Sequence, residues 1–412
     1  MKKKSICIIG LGYVGLPLFF ELKKNSFNVV GFDNDNLKIL HLKKKYTNVK
    51  KKIFSSTNDI KKCNVYIVCV PTPLNKFLEP DTSFIKSAIK IIISVIEKGD
   101  LIIFESTCYP GCTKEMIINE IEKKKEFKFK KDFFVSYSPE RIDPANKKFK
   151  IKDIPKVIGS ECKKSLKLTD DIYNKIFKKT FILHKFEEAE LSKLIENVFR
   201  QVNIGLMNEM AMMCKKLEIN IWNAIKASST KPFGFMSFYP GPGTGGHCIP
   251  LDPNYLSWKA RSKNFFSRYI DLSNKLNQEM PEYVIKRAGN LLRKKNKVFS
   301  KSRILVIGLS YKKNVPDYRE SPSLKIFQKL FSKVKKIKFH DNFVKDIKIK
   351  KKNKIKIFRS INLTKKNIGS FDLVIILTAH SYINWTMLSK HSKNIFDTRF
   401  VCKNNYSNVE FL

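Results

Sequence analysis

In GPGTGGHCIPLDP, residues 241–253, a single cysteine stands between a glycine-rich run and two prolines. The glycines let backbone amides converge on a bound group, and Pro250 and Pro253 stiffen the chain after it. Three chemistries are open to Cys248: a small buried hydrophobe, a metal ligand beside His247, or a nucleophile. The metal reading lacks two further ligands, so no metal is expected. The nucleophile reading gains from Asp252 four residues on, and it needs a cation such as a lysine ammonium to lower the thiol pKa.

A second constellation is GLGYVG, residues 10–15, which follows an apolar run and opens a helical one. Gly10 suits a tight turn, Gly12 lets backbone approach a pyrophosphate, and Gly15 lets helix pack on strand. Asp33 closes the next apolar run, where a carboxylate suits a ribose 2′-hydroxyl and repels a 2′-phosphate. NAD is therefore expected rather than NADP. Thr72 in VPTP and Thr107 in ESTCYPGCT also end apolar runs, which places them to reach a nicotinamide or a substrate; turn-stabilising hydroxyls are the plain alternative. Cys108 and Cys112 have the spacing of a zinc pair, but no second pair lies near them.

Three further groups are cationic. AELSKLIENVFR sets Lys193, Asn197 and Arg200 at i, i+4 and i+7, one face of a helix. Asn197 is a mediocre helix former with no cap to make in mid-helix, which argues against a merely solvated stripe. YKKNVPDYRESP, residues 311–322, carries Lys312 and Arg319 in a loop suited to capturing an anion. FDTRF places Arg399 where its fork could grip phosphate or carboxylate.

The elements that must hold these residues are legible from hydrophobic period. SICIIG (5–10), NVVGFD (28–33), VYIVCV (65–70), LIIFES (101–106) and FFVSYS (133–138) are short, nearly all-apolar runs, as expected of strands in a parallel sheet covered on both faces. RILVIGL (303–309), KIKFHD (336–341) and DLVIILT (372–378) repeat the style in a second such domain. Between them, from Glu187 to Leu217, no proline occurs and only Gly205 interrupts an apolar period of helical spacing, which predicts one long helix. The expected fold class is α/β, with two Rossmann-like doubly wound domains joined by a central helical domain. The expected boundaries are 1–185, 186–297 and 298–412.

Composition excludes some classes of function. The chain has 412 residues, 43% of them hydrophobic, which is ample for two or three packed cores. Its net charge of +43 suggests nucleic acid or an anionic membrane as partner, yet of 80 basic residues 70 are lysines in short runs spread along the chain. A reader of phosphates and bases would favour arginine, so a solvated lysine-rich surface is expected, with no nucleic-acid or membrane partner. Arginine is rare, and Arg141, Arg200, Arg319 and Arg399 gain interest from that rarity. The nine cysteines include no CxxC pair, so a reducing, cytoplasmic setting is expected. The opening MKKKSICIIGLGYVGLP imitates a signal peptide, but its glycines, Pro17 and lack of a small-residue cleavage site argue against one.

GLGYVGLP, VPTP, ESTxYPG, SPERIDP, AExxKxxxN, GPGxGGHCIPxDP and YKxxxxDxRESP occur in this order from end to end. In this the chain resembles the UDP-glucose/GDP-mannose dehydrogenase family. Its FGFMSFYPGPGTGGHCIPLDPNYLSWKAR stretch is most similar to the UDP-N-acetylhexosamine 6-dehydrogenase branch. Departures are small: Ala145 for a usual glycine, Cys108 and Cys112 for threonines, and Pro316 in the YKK loop. The resemblance implies oxidation of a sugar C6 alcohol to a carboxylate by two NAD in turn, for surface polysaccharide synthesis, through a thiohemiacetal and a thioester on Cys248. It implies that Lys193 stabilises the oxyanion, that Asp252 and Glu140 manage water and protons, and that Thr107 helps hold the water. Tyr13, Val14, Asp33, Thr72, Thr107 and Arg319 would touch NAD. Arg141, Ile142, Lys193, Asn197, Arg200, Gly245, Tyr311, Lys312 and Arg399 would touch the UDP-sugar. A homodimer through the central helix is expected, and a UDP-glucose 6-dehydrogenase is the alternative within the family.

Overall fold

The structure is a computed structural model that describes residues 4–141, 149–246, 248–351, 354–402 and 406–412. Chain contacts divide it into two compact units. One comprises Met1–Glu196 with Asn254–Phe266, the other Asn197–Pro253 with Ser267–Leu412.

The first unit is built on an eight-stranded sheet. Its strands are β1 (Ser5–Ile9), β2 (Asn28–Phe32), β3 (Ile53–Phe54), β4 (Val65–Val68), β5 (Leu101–Phe104), β6 (Phe134–Tyr137), β7 (Lys156–Gly159) and β8 (Thr180–Leu183), in the order 3-2-1-4-5-6-7-8. Every neighbouring pair is parallel except β6 and β7, which run antiparallel. The first six positions follow the dinucleotide-binding order, with its reversal of direction between β1 and β4. β1, β4, β5 and β6 are buried almost throughout, and the helices Gly15–Lys24 and Lys163–Tyr173 contribute Leu18, Phe19, Leu22, Leu166 and Ile172 to their core. The apolar composition of these runs is thus explained by a sheet that meets helices on both faces.

The second unit holds a five-stranded, all-parallel sheet of β9 (Arg303–Ile307), β10 (Lys336–His340), β13 (Leu373–Ile376), β14 (Ile395–Asp397) and β15 (Val409–Phe411), in the order 10-9-13-14-15. This is the other common doubly wound order. An antiparallel hairpin of β11 (Asp346–Lys351) and β12 (Lys354–Arg359) is inserted after β10. The long helix runs Phe186–Lys216, 31 residues, within one residue of the expected span at each end. Among the described residues, no helix is long and apolar enough to cross a membrane.

The sequence reading found β1, β2, β4, β5, β6, β9, β10 and β13 and missed the other strands. β3 has two residues and β7 begins on a lysine, while β8, β14 and β15 are short edge-side strands. In β11 the sequence DIKIKK alternates buried Ile347 and Ile349 with lysines, a period-2 pattern hidden inside a lysine-rich stretch, while in β12 Phe358 is buried and Ile355 and Ile357 are exposed.

Candidate active site

At the switch point of the first sheet, β1 ends in Gly10, whose φ of +95° suits only glycine. A methyl group on Gly10 would stand 2.8 Å from the carbonyl oxygen of Cys69, which follows β4. On Gly15 it would lie 2.0 Å from the Gly10 oxygen, so helix and strand pack only without a side chain there. Nothing lies within 4 Å of the side-chain direction of Gly12. The helix Gly15–Lys24 has no side chain capping its N-terminus and no acidic residue in its first turn. Its dipole therefore favours a phosphate there. Asp33 is buried after β2; its Oδ2 accepts from the Leu11 amide at 2.9 Å and meets Lys38 Nζ at 2.5 Å, and its Oδ1 accepts from the Asp35 amide. Tyr13, in the glycine turn, is exposed. The glycine turn, the open helix end and the acidic residue together fit a dinucleotide.

The loops after β4 and β5 are tied to each other. Thr72 Oγ1 donates to the Thr107 carbonyl at 2.6 Å, and Ser106 Oγ donates to the Val70 carbonyl at 2.7 Å. Tyr255, buried on the helix Asp252–Arg261, donates its hydroxyl to the Thr72 carbonyl. Beyond Thr107, the turn is held by Glu190 of the long helix, which accepts from the Gly111 amide, the Thr113 amide and Thr113 Oγ1 at 2.6, 2.8 and 2.6 Å. Burial, working against these hydrogen bonds, lifts the Glu190 carboxyl to about 7. Cys108 and Cys112 are buried, and burial pushes the Cys108 thiol well up.

At the carboxyl end of β6, the Glu140 carboxylate accepts from the Arg141 amide at 2.6 Å and lies 3.7 Å from Lys156 Nζ. The Arg141 fork spans the Pro155 carbonyl at 2.9 Å and Glu196 at 2.6 Å. Lys193 is nearly buried on the long helix, despite being a lysine.

The second unit gathers the other expected residues. Asn197, buried on the long helix, donates Nδ2 to Asp252 Oδ2 at 2.5 Å. Asp252 is itself buried, and its amide bonds to the Cys248 carbonyl at 2.9 Å, closing the turn that presents an exposed Cys248. The preceding glycines let this loop press against Tyr311 and Arg399. A methyl group on Gly245 would stand 3.0 Å from Tyr311 Cβ, and one on Gly241 would stand 2.6 Å from Arg399 Nη1. Arg399 Nε donates to the Leu377 carbonyl at 2.7 Å, and burial draws its guanidinium down to about 10, still charged at neutral pH. Lys312 is half-buried in the loop after β9. The Arg319 fork is engaged by Asp317, through Nε at 3.0 Å and Nη2 at 2.7 Å. Arg200 is exposed. Ile142 and His247 lie outside the described residues.

Sequence reasoning passed over Lys38, Lys156, Glu190 and Tyr255. Lys156 carried a signal, a cation at the head of the apolar run KVIG, but in a chain with 70 lysines it was inaudible.

The chain matches the NAD binding domain of the UDP-glucose/GDP-mannose dehydrogenase family over residues 4–177, that family's central domain over 187–279, and its UDP binding domain over 305–404. It is 32% identical over 430 residues to a UDP-N-acetyl-D-glucosamine 6-dehydrogenase of Pseudomonas aeruginosa, covering 99% of this chain and 100% of that one. It is 33% identical over 389 residues to the enzyme of the same name from Salmonella typhi, covering 91% and 90%. The structure of a UDP-D-ManNAc dehydrogenase from Pyrococcus horikoshii superposes with a TM-score of 0.88 at 29% identity, covering 99% of this chain and 98% of that one.

Proposed function

Because the chain belongs to the UDP-glucose/GDP-mannose dehydrogenase family and contains its NAD and UDP binding domains, we propose that it oxidises the C6 alcohol of a UDP-N-acetylhexosamine, UDP-GlcNAc or UDP-GalNAc, to the uronic acid. The same reading assigns residues 1–185 to the cofactor, 186–297 to the central domain and 298–412 to the nucleotide sugar. It places the enzyme in the cytoplasm, supplying surface polysaccharide synthesis.

NAD, when bound, accepts a hydride from C6 in each of two oxidation steps. The chain's own residues do the rest. A base takes the C6 hydroxyl proton as the first hydride leaves, giving an aldehyde. An aldehyde is planar and has no hydride to yield in a tetrahedral geometry until a nucleophile adds. The Cys248 thiolate forms the C–S bond, and the resulting oxyanion is stabilised by the Lys193 ammonium. Loss of the second hydride gives a thioester. Water, held by Thr107 and deprotonated with the help of Glu140 and Asp252, attacks the thioester carbonyl, and the C–S bond breaks to release carboxylate and thiol.

The observation that carries this reading is the Asn197–Asp252 bond. It ties the turn bearing Cys248 to the long helix. The close approach of Gly245 to Tyr311 and of Gly241 to Arg399 supports a nucleotide-sugar pocket beside the same cysteine. Similarity to both UDP-GlcNAc and UDP-ManNAc dehydrogenases supports the N-acetylhexosamine class over UDP-glucose. Exposed Ile195, Phe199, Leu206 and Met213, spaced along one helix, support pairing of two copies through it.

A panel of UDP-GlcNAc, UDP-GalNAc, UDP-ManNAc and UDP-glucose with NAD tests the assignment. The expected result is two NADH per N-acetylated sugar and a uronic acid product. Preference for UDP-glucose would overturn the substrate, and a single NADH with release of aldehyde would overturn the chemistry.

A further inference from the structure

The antiparallel setting of β7 in an otherwise parallel sheet has a chemical result. It brings the first residue of β7, rather than the last, to the carboxyl edge of β5 and β6, where ligands of such sheets sit. That residue is Lys156. Its side chain is 3% exposed, and its ammonium points at three segments that bear on the reaction. It lies 2.7 Å from Glu105 Oε2, which follows β5 two residues before Thr107. It donates to the Pro139 carbonyl at 3.2 Å and lies 3.7 Å from Glu140 Oε2.

A buried lysine is costly unless it is paired. Here the pairing is more than one carboxylate can account for. Glu105 is fully buried and already accepts from the Tyr173 hydroxyl, so with Lys156 it forms a closed pair inside the sheet. The rings of Tyr173 and Phe177 lie 5.3 and 5.4 Å from the ammonium and complete its wall. Glu140 is the outer member of this set, and its carboxylate is the one nearer solvent. Among the described residues, the groups facing Glu140 include Lys156 on β7, Glu105 after β5, Cys69 after β4, Tyr173 of the helix Lys163–Tyr173, and the Arg141 amide of its own loop. Lys156 brings a cation to that set. Burial alone would lower its pKa, but the two carboxylates outweigh this and hold it above the usual lysine value.

We propose that Lys156 is a positioning residue for the reaction, fixing the Glu140 carboxylate in place while anchoring the loop that begins at Glu105. It acts through Glu140 and touches no substrate. The inference rests on the reading of Glu140 as a proton acceptor.

The test is the split between kcat and KM in turnover with NAD and UDP-N-acetylglucosamine, or whichever sugar of the panel is turned over. Lys156→Met should lower kcat by about tenfold with the KM for NAD and for the sugar unchanged, and Lys156→Arg should restore most of it. Because Lys156→Met strands Glu105 and threatens folding, the double variant Glu105→Gln with Lys156→Met, which removes the inner pair together, should fold and show the same loss of kcat. A folded variant that keeps the wild-type kcat overturns the inference. Glu140→Gln separates the two ideas. If that variant keeps the wild-type kcat, the role of Glu140 is wrong; if it loses kcat while the folded Lys156 variants keep theirs, only the role of Lys156 is wrong.

Discussion

Asn197 Nδ2 donates to Asp252 Oδ2 at 2.5 Å, both side chains buried. This explains an asparagine in the middle of a long helix, where its propensity is poor and it has no cap to make. Asn197→Ala should leave Asp252 buried without this donor, at a cost of about 1–3 kcal/mol. The expected outcome is a lower melting temperature together with a kcat reduced by about tenfold or more, the latter because the cysteine turn loses its tie. A melting curve and steady-state kinetics on the same preparation check both.

Cys248 is exposed, while the other eight cysteines are buried. Cys248→Ala should therefore change stability by less than about 0.5 kcal/mol, as surface substitutions do. Uronic acid formation should vanish. Product analysis by mass spectrometry together with thermal melting checks this, and unchanged turnover would remove Cys248 from the mechanism.

Asp33 is gripped from two sides, by the Leu11 amide and by Lys38. Loss of its carboxylate in Asp33→Ala should raise the KM for NAD by about tenfold, worth about 1.4 kcal/mol of binding. The cation left behind at Lys38 should also improve use of NADP relative to NAD. Initial rates with both cofactors, for wild type and variant, read this directly.

Asp341, after β10, is the counterpart of Asp33 in the second sheet. The Leu309 amide donates to it at 2.8 Å, as the Leu11 amide does to Asp33 at 2.9 Å. Its carboxylate is also bonded by Ser310, Phe343, Val344 and His380 Nε2, and it is fully buried. Burial would raise its pKa, but hydrogen bonds from His380 and from the Leu309 and Phe343 amides outweigh that and bring it down to about 2. A depressed folded-state pKa means that the unfolded chain binds more protons between about pH 2 and the ordinary value of 3.8. The stabilisation, about 2 kcal/mol, is therefore complete above that window and is lost as pH falls through it. Denaturant melts at a series of acidic pH values should show this slope, and Asp341→Asn should flatten it while destabilising the protein at neutral pH.

Much of this arrangement was legible from local chemistry. Gly10, Gly15 and Asp33 announce a dinucleotide turn because backbone sterics and a lone carboxylate do their work within one βαβ unit. The long helix was legible for a similar reason: an apolar repeat over thirty residues admits no other regular structure. Cys248 stood out because the glycines and prolines around it constrain backbone whatever the rest of the chain does.

Lys156, Glu190 and Tyr255 were not legible, and the reason is common to them. Each earns its place through a partner 51, 77 or 183 residues away, and no local pattern distinguishes such a lysine, glutamate or tyrosine from its neighbours. The amino-acid order alone determined the class of fold and the cofactor, because those depend on residue types at short spacing. Which carboxylate faces which ammonium was decided only by tertiary structure. The reversed direction of β7 turned a lysine at the head of an apolar strand into a buried charge between Glu105 and Glu140, and strand direction is a property of sheet pairing that no single segment contains.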